Sequence, residues 1–177
     1  MTALDTGSAS ASPGGSATRN GWQPWLSTLL RLVMAGIWIA AGLSKVTDLG
    51  ASVRSVRAYK LLPEALVQVV GVGLPVLELT LGALLLVGFG VRVVAVITTV
   101  LLLVYMAGIT SAWVRGLSID CGCFSKGGEL GAGEKPTYGL ELLRDTGFLI
   151  VAILLAKWPR GRFAVDGLLT SGRKEEA

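Results

Sequence analysis

The chain has 177 residues, 52% of them hydrophobic and only 16% charged, with a formal net charge of +4. Soluble domains carry about a quarter charged residues. The shortage of charge and a mean hydropathy of +0.65 therefore mark a membrane protein and exclude a soluble nucleic-acid-binding domain. There is no histidine, which excludes a Cys–His dyad, a Ser–His–Asp triad, a His-ligated haem and a His-containing zinc site within this chain.

Residues 1–24 are rich in Ala, Ser, Gly and Thr, with Pro13 and one basic residue, Arg19. Such a segment cannot bury a core and reads as a disordered tail. The apolar run that follows is long and its basic flank is thin. That fits a retained first transmembrane helix better than a cleaved secretion signal.

The first helix is predicted over 25–46. Arg31 stands in its first turns, placed to snorkel toward lipid headgroups. Trp25 and Trp38 read as interface anchors or packing residues. Gly36 and Ala40, four apart, permit a close helix neighbour. Residues 47–63 differ: Asp48, Arg54, Arg57 and Lys60 interleave with Val53, Val56, Leu61 and Leu62. This reads as a short amphipathic segment on the membrane surface, with Arg54 and Arg57 sharing a helix face.

A second transmembrane helix is predicted over 65–87. Pro75 should kink or loosen it. Gly88-Phe89-Gly90 reads as a tight turn, which makes the third helix, 91–113, an antiparallel neighbour. Residues 115–139 form a polar loop whose glycines and Pro136 argue against regular structure beyond the cysteine pair. The fourth helix is predicted over 139–158. Its cleanly apolar part, 146–156, is shorter than the roughly 20 residues a crossing needs. Glu141, Arg144 and Asp145 must therefore lie at the interface or face the bundle interior. Residues 167–177 form a polar tail.

The fold class that follows is all-α: a polytopic membrane protein with four transmembrane helices in a domain spanning 25–166. Open sheets are excluded because lipid cannot satisfy their backbone groups. With both termini in the cytoplasm, eight basic residues fall inside and seven outside, so the positive-inside rule barely decides. The basic cluster after the fourth helix favours an inside C-terminus. Disulfide chemistry favours a cysteine loop outside.

The two cysteines of the chain, Cys121 and Cys123, flank Gly122. A disulfide stabilises mainly by closing a long loop, and a bridge between these two closes almost nothing. Alpha carbons two residues apart reach disulfide range only in a tight bend, which Gly122 permits. A short, exposed bridge of this kind suits thiol exchange. Inert thiols and a share in an intermolecular metal site stay open beside that reading, and two cysteines alone make no four-ligand metal site. Asp120 and Lys126 would tune the thiolates, Lys126 by attraction and Asp120 by repulsion or as a proton acceptor.

Glu78 lies about 20 Å along the second helix at 1.5 Å per residue, near mid-bilayer, where a carboxylate is costly and marks a functional site. A hydrogen-bonded packing role is the alternative. Lys45 and Arg144 from the outer side, or Arg31 from the inner side, are its candidate partners. With Asp145 they suggest a polar pocket beneath the cysteine loop, suited to a proton or a quinone headgroup.

Five stretches carry a family resemblance through their order and spacing. They are Ala41-Gly42-Leu43-Ser44-Lys45, Tyr59-Lys60-Leu61-Leu62-Pro63, Leu74-Pro75-Val76-Leu77-Glu78, Asp120-Cys121-Gly122-Cys123-Phe124 and Glu141-Leu142-Leu143-Arg144-Asp145. Over residues 26–166 the chain resembles the DoxX-like membrane proteins, and more closely their MauE branch, associated with methylamine utilisation. The resemblance implies a redox-associated four-helix protein. The MauE branch is linked to a thioredoxin-like partner and to disulfide formation in a multi-disulfide periplasmic enzyme. DoxX relatives are linked to sulfur oxidation and quinone-coupled electron transfer. The expectation is a thiol–disulfide relay component in the lipid bilayer, meeting a thioredoxin-like extracytoplasmic protein through Cys121 and Cys123. A non-catalytic anchor of a redox complex is the rival.

Overall fold

The computed structural model describes residues 23–120, 127–131 and 135–158. The tails expected at 1–24 and 167–177 lie outside these residues, apart from the first two positions of α1. The described chain is all-α apart from one minimal β ladder. In order it forms α1 (Gln23–Val46), α2 (Leu49–Ala58), α3 (Glu64–Val87), α4 (Val91–Val114), β1 (Ile119–Asp120), β2 (Gly128–Glu129) and α5 (Tyr138–Lys157). Among the described residues, three helices are long and apolar enough to cross a membrane: α1 from Trp25, α3 and α4. Their outer faces expose Leu29, Val69, Val93 and Val104, as a lipid-facing surface requires. The core is a Met34, Trp38, Leu81, Leu85, Leu102 and Leu155 cluster drawn from α1, α3, α4 and α5.

The helices pack closely where glycine allows it. A Cβ at Gly82 would stand 2.7 Å from Ile39 Cγ1, and one at Gly42 would stand 2.7 Å from Leu79 Cγ. This is the small-residue contact of membrane helices, made between α1 and α3. Gly36 and Ala40, the pair expected to make it, are exposed, and nothing lies within 4 Å of a Cβ at Gly36. Arg31, expected to reach outward, is 3% exposed and turned into the protein.

Residues 47–63 contain a true helix. Asp48 caps it, its side chain accepting from the Ala51 amide at 2.8 Å, which satisfies a first-turn donor. Its small face, Ala51, Ser52, Ser55 and Ala58, is buried, while Arg54 and Arg57 share the exposed face. Arg57 pairs with Glu64, Nε to Oε2 at 3.0 Å. The small face docks on the first half of α3. A Cβ at Gly71 would stand 2.7 Å from Val53 Cα, and Ser52 Oγ donates to the Gly71 carbonyl at 2.7 Å.

That hydrogen bond explains how α3 tolerates Pro75. In an α-helix the carbonyl of residue 71 accepts from the amide of residue 75. Proline has no amide hydrogen, and Ser52 supplies the missing donor. The helix then runs on through Pro75 to Val87. Gly88 and Gly90 close the turn with φ of 77° and 60°, and the Gly88 and Phe89 amides both bond the Leu84 carbonyl. These left-handed positions are the ones glycine occupies without strain.

The described residues between α4 and α5 carry more regular structure than the glycines of that segment suggest. β1 and β2 pair antiparallel, Ile119 with Glu129 and Asp120 with Gly128. Tyr138, in the first turn of α5, locks the base of this hairpin: its hydroxyl donates to the Leu117 carbonyl and accepts from the Ile119 amide at 3.1 Å. Ile119 and Tyr138 pack with Ala58, Ile109 and Ala112 into a second small core. Arg115 donates to the Tyr59 carbonyl, and Lys60 approaches Glu129 at 3.7 Å. The hairpin is thereby tied to the α2–α3 joint.

Candidate functional site

The site lies where α1 ends beside the middle of α3. Glu78 is fully buried. Lys45 Nζ stands 2.5 Å from Glu78 Oε1, and the Tyr105 hydroxyl of α4 donates to the same oxygen at 2.6 Å. The Lys45 ammonium also sits 5.7 Å from the centre of the Tyr105 ring. Tyr105 is flanked in turn by Trp38, ring centres 6.4 Å apart. Charge and hydrogen bond thus converge on one carboxylate oxygen, and the ring face meets the ammonium, the pairing a buried ion requires.

α5 contributes the second half. Asp145 is 2% exposed. Its Oδ1 accepts from Arg144 Nε at 3.0 Å and Nη2 at 2.9 Å. The Arg144 side chain is 31% exposed and lies over the Phe148 ring at 5.9 Å. Glu78 and Asp145 line one cavity, together with Lys45, Trp38, Tyr105 and Phe148.

Of the expected pocket residues, Lys45, Glu78 and Asp145 line this cavity, and Arg144 does not. Among the partners considered for Glu78, the fold selects Lys45. Arg144 reaches the site through Asp145, donating to its Oδ1 from both Nε and Nη2. Tyr105 was not legible as a site residue, although it is the one tyrosine of α4. Trp38, legible only as an anchor or packing residue, also belongs here.

Cys121, Cys123 and Lys126 lie outside the described residues. Asp120 ends β1 and is half-buried. The ladder brings Asp120 opposite Gly128, so the ends of the cysteine segment meet at the hairpin held by Tyr138. Beside it, Trp113, Gly116, Leu117, Ser118, Pro136 and Tyr138 line a cleft of about 200 Å³. Arg115, the other cation near the loop in sequence, is engaged by the Tyr59 and Ser111 carbonyls.

An apolar helical exterior around a buried, paired carboxylate, with a polar hairpin at one end, defines a polytopic helical membrane protein with an internal ionisable site. The chain belongs to the MauE family: the family described as Methylamine utilisation protein MauE matches residues 23–157. It is 33% identical over 151 residues to the methylamine utilization protein MauE of Paracoccus denitrificans, covering 85% of this chain and 77% of that relative. No solved structure matches it.

Proposed function

We propose that this protein is the membrane component of a thiol–disulfide relay serving methylamine utilisation. Cys121 and Cys123 exchange with a thioredoxin-like protein on the extracytoplasmic side. One thiolate attacks a partner disulfide, forming a mixed disulfide and expelling a partner thiolate. The second thiolate then displaces the other partner sulfur and closes the Cys121–Cys123 bridge. Two electrons pass to the partner, its two sulfurs take up the two protons, and no further oxidant enters this step. The reverse sequence runs by the same bonds.

The observation that carries the reading is the β1–β2 ladder. It closes the ends of segment 121–127 onto a base clamped by Tyr138, beside a cleft wide enough for a partner's side chain. In this reading α5 is the fourth crossing. Support comes from its far end, where the Trp158 carbonyl accepts from Ser27 Oγ at 2.9 Å, level with the start of α1. Both termini are then cytoplasmic and the hairpin extracytoplasmic. In that reverse direction, with electrons entering a Cys121–Cys123 disulfide from a partner dithiol, the resemblance to the DoxX-like proteins suggests a quinone as the terminal two-electron, two-proton acceptor. The cavity beside Glu78, at about 20 Å³, is too small for its ring.

The test is to replace each cysteine singly with Ser and look for a trapped mixed disulfide with an extracytoplasmic dithiol protein. The relay predicts capture through the remaining cysteine, and loss of capture in the double variant. Normal extracytoplasmic thiol oxidation in a well-expressed double variant would assign the protein a non-catalytic anchoring role instead.

A further inference from the structure

The cavity between α1, α3, α4 and α5 has a volume of about 20 Å³. About 10–15 Å³ suffices for one water, so the space takes one water and no ring. Three buried polar atoms of its lining residues have no hydrogen-bond partner among the described residues: Glu78 Oε2, Asp145 Oδ2 and Trp38 Nε1. Their residues are 0%, 2% and 3% exposed respectively. Two of these atoms accept and one donates. A water molecule has two donors and a free lone pair, the complement of that set. Ordered internal waters make about three such bonds. A metal cation would suit the carboxylates, but an indole N–H cannot ligate it, and the Lys45 ammonium shares the lining.

We infer that this cavity binds one ordered water, which donates to Glu78 Oε2 and Asp145 Oδ2 and accepts from the Trp38 indole N–H. The water joins two ion pairs, Lys45–Glu78 and Arg144–Asp145, into one hydrogen-bonded chain that also includes Tyr105. It gives protons a path between a carboxyl group in the middle of α3 and one two turns into α5, whose arginine partner is partly exposed. The inference rests on the cavity and its polar atoms, and stands whether or not the cysteines exchange with a partner.

The experiment is infrared spectroscopy of the full-length protein in lipid nanodiscs, hydrated with ordinary or oxygen-18 water. The expected result is an O–H stretching band that moves on isotope exchange. It is lost or displaced in both Trp38→Phe and Asp145→Asn, which act from different helices, and it persists in the exposed control Arg54→Gln. Where Asp145→Asn fails to fold, Glu78→Gln takes its place. A spectrum without an isotope-sensitive band that separates wild type from Trp38→Phe overturns the inference. So does a band that responds to the Trp38 change alone. A band that shifts when sodium is replaced by choline would put a cation in the cavity and overturn it as well.

Discussion

Ser52 on α2 donates to the Gly71 carbonyl on α3 at 2.7 Å, and Gly71 is the residue whose helical partner would have been the amide of Pro75. One residue is thus satisfied across an interface because another, four positions along, cannot satisfy it. Ser52→Ala should leave a buried carbonyl unpaired, at a cost of about 1–3 kcal/mol. Pro75→Ala restores an amide at position 75 and should make the Ser52 change much less costly. A double-mutant cycle on unfolding in detergent measures this. Equal cost of Ser52→Ala in both backgrounds would show that the two positions are not coupled.

The Lys45–Glu78 pair should behave as a buried ion pair does. Lys45→Met strands a buried carboxylate and should cost about 3–5 kcal/mol. Lys45→Met with Glu78→Gln should recover most of that, because the stranded charge goes too. Thermal unfolding of the single and double variants in the same detergent is the comparison. A double variant no more stable than Lys45→Met would argue against the pairing.

Tyr105→Phe keeps the ring against Trp38 and removes the hydroxyl that bonds Glu78 Oε1. Hydrogen bonds to charged groups contribute about 1.5–3 kcal/mol, and a loss in that range is expected. Thermal unfolding of Tyr105→Phe in the same detergent measures it, and an unchanged midpoint would show that the hydroxyl does not support Glu78.

Glycine positions should separate sharply. Gly82→Ala and Gly42→Ala place a Cβ 2.7 Å from Ile39 and Leu79 atoms. Overpacking of this kind costs about 1–3 kcal/mol. At Gly36 a Cβ meets nothing within 4 Å, and Gly36→Ala should stabilise by about 0.5–1 kcal/mol through helix propensity. Opposite signs at positions 36 and 82 are the expected outcome of one denaturation series.

Tyr138→Phe removes both hydrogen bonds at the base of the hairpin while keeping the packing. Amide exchange in residues 117–120 and 128–130 should accelerate, while α4 and α5 keep their protection. If thiol exchange is governed by how the hairpin holds its cysteines, alkylation of Cys121 and Cys123 should change as well. Unchanged exchange in the ladder would show that the tyrosine does not hold it.

Much of this protein is written locally. Apolar runs of membrane length, punctuated by Pro63, Gly88-Phe89-Gly90 and the polar residues after Val114, define the long helices to within a residue or two, because length and hydropathy act along the chain itself. Glu78 was legible as costly wherever it sat, but Lys45, Arg144 and Arg31 were all open to it as partners, with Asp145 nearby. What distance in sequence conceals is pairing. That α1 meets α3 through Gly42 and Gly82 rather than Gly36, that Ser52 completes the helix broken at Pro75, and that Tyr105 and Trp38 close the site are facts of helix rotation and register. Those are chosen by packing among surfaces equally apolar in sequence, so only the assembled bundle could decide them.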